Sequence, residues 1–264
     1  MSTALALRRT IDSEFTKIRT VRSTYGSLAM LAVVACAWCV AYCLGTTHNW
    51  ASMSAADRAG FDPTQSSVLG LALLGQLVIV VFGALVITSE YSTGMIRTSL
   101  TVMPRRAVLY WSKLAVFAGV SLVLSLVTSF GVFFLGRALL APTHVAMSLS
   151  GPGVLRSVLV TAGYVELCGL FAYAVGAITR NTAAGLTIAY GCLALLPQLL
   201  KALPAGLHET LMRWVPGGDA LAVMTATSSQ PAHMFSAWGE LAVFAGYTAI
   251  LVLIGAAQFS RRDA

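Results

Sequence analysis

The sequence predicts an all-α integral membrane protein with six transmembrane helices. Three observations carry this. Only 10% of the 264 residues are charged and 57% are hydrophobic, whereas a soluble domain carries about 25% charged residues; the mean hydropathy is +0.79. Six apolar runs, at about 25–44, 68–88, 111–135, 154–178, 184–203 and 238–258, meet or approach the roughly 20 residues a helix needs to cross about 30 Å of hydrocarbon. Strict alternation over ten-residue units is absent, which argues against a closed β-barrel, and isolated strands cannot satisfy their backbone groups in lipid.

The chain reads as a single transmembrane domain. The first run follows a 24-residue polar leader and no A-x-A site follows it, so it is expected to be a retained helix and not a cleaved signal. Within the leader, Leu7, Ile11, Phe15, Ile18 and Val21 recur at spacings of three and four, the pattern of an amphipathic helix lying in the membrane interface. Glu14 projects onto that apolar stripe. It either reaches water at the shallow edge or pairs with Arg97 or Arg105 of the loop between spans two and three. The fifth run is the weakest, because Pro197 and Lys201 cut into it.

With the N-terminus on the cytoplasmic side, twelve of the seventeen Lys and Arg residues fall inside and five outside. The positive-inside rule then predicts a multi-pass protein of the cytoplasmic membrane with both termini cytoplasmic. The net charge of +7 follows from this asymmetry and from attraction to anionic lipid. There is no basic domain, and no nucleic-acid partner is predicted.

Residues 89–106 therefore form a cytoplasmic loop. Glu90 follows span two at once, Thr93 can cap a short helix over about 94–102, and Pro104 suits the first turn of the next span. Arg105 and Arg106 oppose the dipole of the helix they open, so topology or a partner explains them and helix stability does not. Between spans five and six, "LPAGLHETLMRWVPGGDALAVM" at 203–224 holds two apolar stretches separated by "PGG". They are too short to span, and read as a re-entrant hairpin or an amphipathic surface loop.

Catalytic signatures are missing. No G-x-x-x-x-G-K-[ST], H-E-x-x-H or G-x-S-x-G occurs, so no ATPase, zincin or hydrolase chemistry is predicted. His48, His144, His208 and His233 are spread over three loops. Cys36, Cys39 and Cys43 share a helix face and read as small packing residues. Glu166 stands near the middle of the fourth run, where burial of a charge costs at least about 2.5 kcal/mol. It is either a protonated or hydrogen-bonded glutamate between helices, with Tyr164, Thr161 and Gln76 as candidate partners, or it lines a transport pathway. In the same span Gly169, Ala172 and Gly176 form a narrow face for close helix approach.

"SEYSTGMIRTSLTVMPRRAVLYWSKL" resembles the loop between the second and third spans of ABC-2 type transporter permeases. The shared positions are Glu90, Tyr91, Gly94, Arg97, Leu100, Arg105, Arg106 and Lys113. The leader "SEFTKIRTVRST" is similar to the opening of actinobacterial members, and the six-span order with an N-terminal interfacial helix and an element between spans five and six also matches. The resemblance implies a coupling helix that docks on a separate ATP-binding subunit, carried by Glu90, Tyr91, Gly94, Met95, Ile96, Arg97, Arg105 and Arg106. The interfacial helix, with Glu14, Phe15 and Lys17, would lie beside it. It implies two ATP-binding subunits that hold ATP and Mg, no cofactor on this chain, and a second permease subunit, identical or paralogous. Two alternatives stay open: an ion-coupled transporter using Glu166, and a non-transporting sensor or scaffold.

Overall fold

A computed structural model describes residues 22–92, 106–145, 147–212, 214–215 and 235–261. Among the described residues six helices are long and apolar enough to cross a membrane: Gly26–Ser52, Pro63–Tyr91, Arg106–Leu139, Val154–Thr179, Thr182–Leu200 and Ala237–Ser260. The fold is all-α. The interfacial leader helix lies outside the described residues.

Helix α1 (Arg22–Asn49) opens the bundle, and a short helix α2 (Ala55–Gly60) follows it. The second span begins with α3 (Pro63–Gly70), passes through one π-helical turn (Leu71–Gly75) and continues as α4 (Gln76–Ser92). Asp62 starts it by accepting from the amides of Thr64 and Gln65 at 2.9 and 3.0 Å, with Pro63 in the first turn where a missing N–H costs nothing. Helix α5 (Arg106–Leu139) is the third span and α6 (Val154–Thr179) the fourth.

The fifth span is α7 (Thr182–Tyr190), a π-helical turn (Gly191–Leu195) and α8 (Leu196–Lys201). The π turn ends just before Pro197, whose ring clashes with the carbonyl four residues back in a regular helix; a widened turn relieves that clash. Helix α9 (Ala205–Met212) is the described part of the segment between spans five and six, and exposes Leu207 and Leu211. Residues 216–234 lie outside the described residues, so the second half of the expected hairpin does too. Helix α10 (Ala237–Arg261) is the sixth span.

Helix α6 is the axis of the bundle. Of its apolar window, 78% lies inside the protein, against 22% for α1, and α4, α5 and α10 pack around it. The small face predicted on α6 is spent on α4. A Cβ on Gly83 would stand 2.2 Å from the carbonyl oxygen of Gly169, and one on Gly176 would meet Ile87 and Thr88 at 3.1 Å. The two backbones touch there, which is why both sides are glycine. On α1, Cys39 and Cys43 are buried; the Cys39 thiol donates to the Val132 carbonyl at 3.4 Å. Large apolar side chains such as Val33, Val127 and Leu253 point outward, as a surface in contact with lipid tails requires.

Candidate functional site

The end of the bundle where residues 93–105 leave α4 and enter α5 is here called the loop end. Glu90 lies in the last turn of α4, and Lys113 stands two turns into α5. Because α4 and α5 run antiparallel, the loop returns Lys113 to the level of Glu90. The Lys113 ammonium donates to Glu90 Oε1 at 2.6 Å, and the two side chains are only 3% and 10% exposed. The pair thus closes the stem of the loop inside the bundle.

Tyr91 extends the closure to two further elements. The Arg180 guanidinium lies 5.3 Å from the centroid of the Tyr91 ring, and its Nη2 donates to the Gln258 carbonyl at 3.3 Å. Arg180 sits at φ 54° in the turn between α6 and α7, a left-handed conformation that costs a non-glycine residue about 1–2 kcal/mol. Asn181 then caps α7 by accepting from the Ala184 amide at 3.0 Å. Phe259 of α10 meets Tyr91 edge-on at 6.4 Å and Tyr110 at 5.6 Å.

Tyr110 is fully buried and donates to the Val252 carbonyl at 3.0 Å, while Tyr173 donates to the Tyr110 carbonyl at 3.0 Å. Tyr173 stacks on Phe117 at 6.0 Å, and Phe117 meets Phe82 at 5.3 Å. An unbroken aromatic column therefore runs from the base of the loop into the bundle and ties α4, α5, α6 and α10 together.

Of the residues predicted for coupling, Glu90, Tyr91 and Arg106 are described, and all three lie at the loop end. Gly94, Met95, Ile96, Arg97 and Arg105 lie outside the described residues, as do Glu14, Phe15 and Lys17. Four residues of the cluster had been given no role: Lys113, Arg180, Tyr110 and Phe259. A signal for Lys113 was present, since it is a cation two turns inside an apolar helix whose antiparallel neighbour ends in a carboxylate.

The mid-membrane polar residues are arranged differently from expectation. Tyr164 donates to Gln76 Oε1 at 3.2 Å, and Thr161 donates to the Ser157 carbonyl at 2.8 Å. Neither serves Glu166. Both Glu166 oxygens are buried with no hydrogen-bond partner among the described residues. Ser121 of α5 faces the carboxyl, but its proton goes to the Phe117 carbonyl at 2.7 Å.

Among the described residues no group of three His, Cys, Asp or Glu side chains is placed to hold a metal ion. Six packed spans and a loop stem clasped by an ion pair define a multi-pass membrane protein. The family model described as "ABC-2 family transporter protein" matches residues 10–193, and the chain belongs to that family. No curated protein matches the chain.

Proposed function

We propose that this chain is the membrane subunit of an ATP-driven ABC-2 exporter in a bacterial cytoplasmic membrane, with both termini cytoplasmic. The sequence has no nucleotide-binding motif, so ATP and Mg belong to a separate ATP-binding subunit. Two such subunits dock on the 93–105 loops of a pair of permease subunits, identical or paralogous. The observation that carries the reading is the buried Glu90–Lys113 clasp at the root of that loop. A loop whose stem is locked to the bundle moves the bundle when it is pushed. Arg180 and Phe259 pass the displacement to the α6–α7 turn and to α10. ATP drives the cycle because it binds the two conformations of the assembly with different affinity.

In this reading Gly94, Met95, Ile96, Arg97, Arg105 and Arg106 meet the ATP-binding subunit, and Glu90 holds the platform they stand on. The test is co-purification from the native membrane. The intact chain should bring down a P-loop ATPase, and Arg97→Glu should release it. The purified chain alone should hydrolyse no ATP; hydrolysis by a clean preparation would falsify the proposal.

A further inference from the structure

Spans two and five each contain one π-helical turn, Leu71–Gly75 and Gly191–Leu195. The two spans run antiparallel. Thr182 donates to the Thr88 hydroxyl at 2.8 Å near the loop end, and the Tyr190 hydroxyl donates to the Leu77 carbonyl. That second bond joins the residue before one π turn to a residue just past the other, so the two turns stand side by side at one depth. Toward the loop end from this level, span five is bolted to the bundle. A Cβ on Gly185 would meet the Gly176 Cα at 3.3 Å, and α7 packs on both α4 and α6. On the other side of the level the two spans differ. The outer half of span two, α3, is wedged against α1 and α5; a Cβ on Gly70 would collide with the Trp38 side chain at 2.5 Å. The outer half of span five, α8, packs closely only on its own π turn and on α9 among the described elements. Leu195 and Leu199 are 63% and 68% exposed, and Leu73 and Leu77 on span two are exposed as well.

We propose that the outer half of span five is a hinged arm, which turns about Gly191–Leu195 and closes on Leu73 and Leu77 of span two. Sharp bends in helices fall at π turns and prolines, and this segment holds both. Pro197 has no amide to bond the Leu193 carbonyl, so the helical ladder is already broken across the turn. A Cβ on Gly191 would meet nothing within 4 Å, so no neighbour blocks rotation there. The arm moves as one piece with α9, because His208 Nδ1 lies 3.2 Å from the Leu200 carbonyl oxygen. The bond from Tyr190 to Leu77 is the fixed point. From Gly191 to Lys201 the arm is about 15 Å long at 1.5 Å per residue, so a bend of about 20° carries its end about 5 Å. Closure exchanges lipid around Leu195 and Leu199 for contact with Leu73 and Leu77. Lipid tails are as apolar as leucine, so little free energy separates the two positions. The inference rests on the packing of this chain alone and does not depend on the transport reading.

The test measures distances between spin labels on the full chain in phosphatidylcholine nanodiscs, with the five native cysteines replaced by alanine. Labels at Leu73→Cys and Leu199→Cys report the arm, and labels at Leu73→Cys and Ile188→Cys report the bolted half; all three positions are exposed. The arm pair should give two distances about 5 Å apart, and the control pair one. Pro197→Ala restores the missing amide, heals the turn and should collapse the arm pair to a single distance. Tyr190→Phe removes the fixed point and should broaden the control pair. An arm pair as narrow as the control, or one that Pro197→Ala leaves unchanged, would overturn the proposal. If the cysteine-free chain does not fold, p-benzoylphenylalanine in place of Leu199 in the otherwise native chain decides. Irradiation should cross-link it to residues 71–77 of the same chain, and the absence of that cross-link overturns the hinge equally.

Discussion

Breaking the Glu90–Lys113 pair on one side should destabilise the whole bundle, and removing it on both sides should not. The ammonium and carboxylate stand 2.6 Å apart with side chains 3% and 10% exposed. At an effective dielectric of about 20 their attraction is about 6 kcal/mol, most of it offset by the cost of taking both charges out of water. Removing one partner takes the ion pair from a charge that stays buried, which costs about 3–5 kcal/mol. For a chain of this size each kcal/mol corresponds to roughly 2–4 °C in melting temperature, so Glu90→Gln or Lys113→Met should lower it by about 6–20 °C. The double variant Glu90→Leu with Lys113→Met buries two apolar side chains of similar volume and should recover most of that loss. Gel filtration after a heating series, followed by the protein's own fluorescence, measures all four chains. Single variants melting within about 2 °C of the wild type, or a double variant no better than the worse single, would refute the argument. The same series separates two roles for Glu90. If its carboxylate met the ATP-binding subunit directly, Glu90→Gln would lose that subunit at an unchanged melting temperature, and the double variant would not regain it.

Other perturbations probe the packing around the clasp. Gly83→Ala puts a Cβ 2.2 Å from the Gly169 carbonyl oxygen; backbone cannot yield as a flexible side chain does, so α4 and α6 must separate, costing about 1–3 kcal/mol or more. Gly119→Ala, where nothing lies within 4 Å, should leave the melting temperature unchanged or raise it, since alanine is the better helix former by about 1 kcal/mol. Arg180→Ala loses both the Tyr91 and Gln258 contacts and keeps the left-handed backbone, whereas Arg180→Gly loses the contacts but relieves the backbone; the glycine variant should be the more stable by about 1 kcal/mol in the same melting assay. Tyr110→Phe deletes the hydrogen bond to the Val252 carbonyl and should cost about 0.5–1.5 kcal/mol.

The six-span fold was legible because hydrocarbon thickness leaves so few choices. A run such as that ending at Thr88 can be nothing but a span, and the charge of Glu90 marks where it stops. The clasp was legible only in part. Glu90 stood out as a charge beside a loop and Lys113 only as a position shared with the family, and their meeting depends on the register of α4 against α5, which is set by where α5 starts at Arg106 and by aromatic contacts such as Phe82 with Phe117. Nothing local in the sequence encodes that register. The two π turns differ in the same way. The one at Gly191–Leu195 has Pro197 behind it as a cause. The one at Leu71–Gly75 has no breaker, and packs where a Cβ on Gly75 would collide with Leu71 at 2.8 Å.

Glu166 shows most plainly what sequence proximity cannot supply. Thr161 and Tyr164 precede it by five and two residues, yet on an α-helix the side chains that meet lie three or four apart. Those positions around Glu166 hold Ala162, Gly163, Gly169 and Leu170, none of which offers a side-chain polar atom. Tyr164 turns instead toward α4, where Gln76 accepts its proton. The only compensation open to the carboxyl therefore comes from another helix or from outside the chain. The hydroxyl that faces it from α5, Ser121, has already given its proton to a backbone carbonyl. Beside it runs the groove against α10, whose wall of Trp238, Leu241 and Ala245 lies beyond the residues 10–193 that the family model matches. Helical periodicity thus leaves Glu166 without a partner on its own helix.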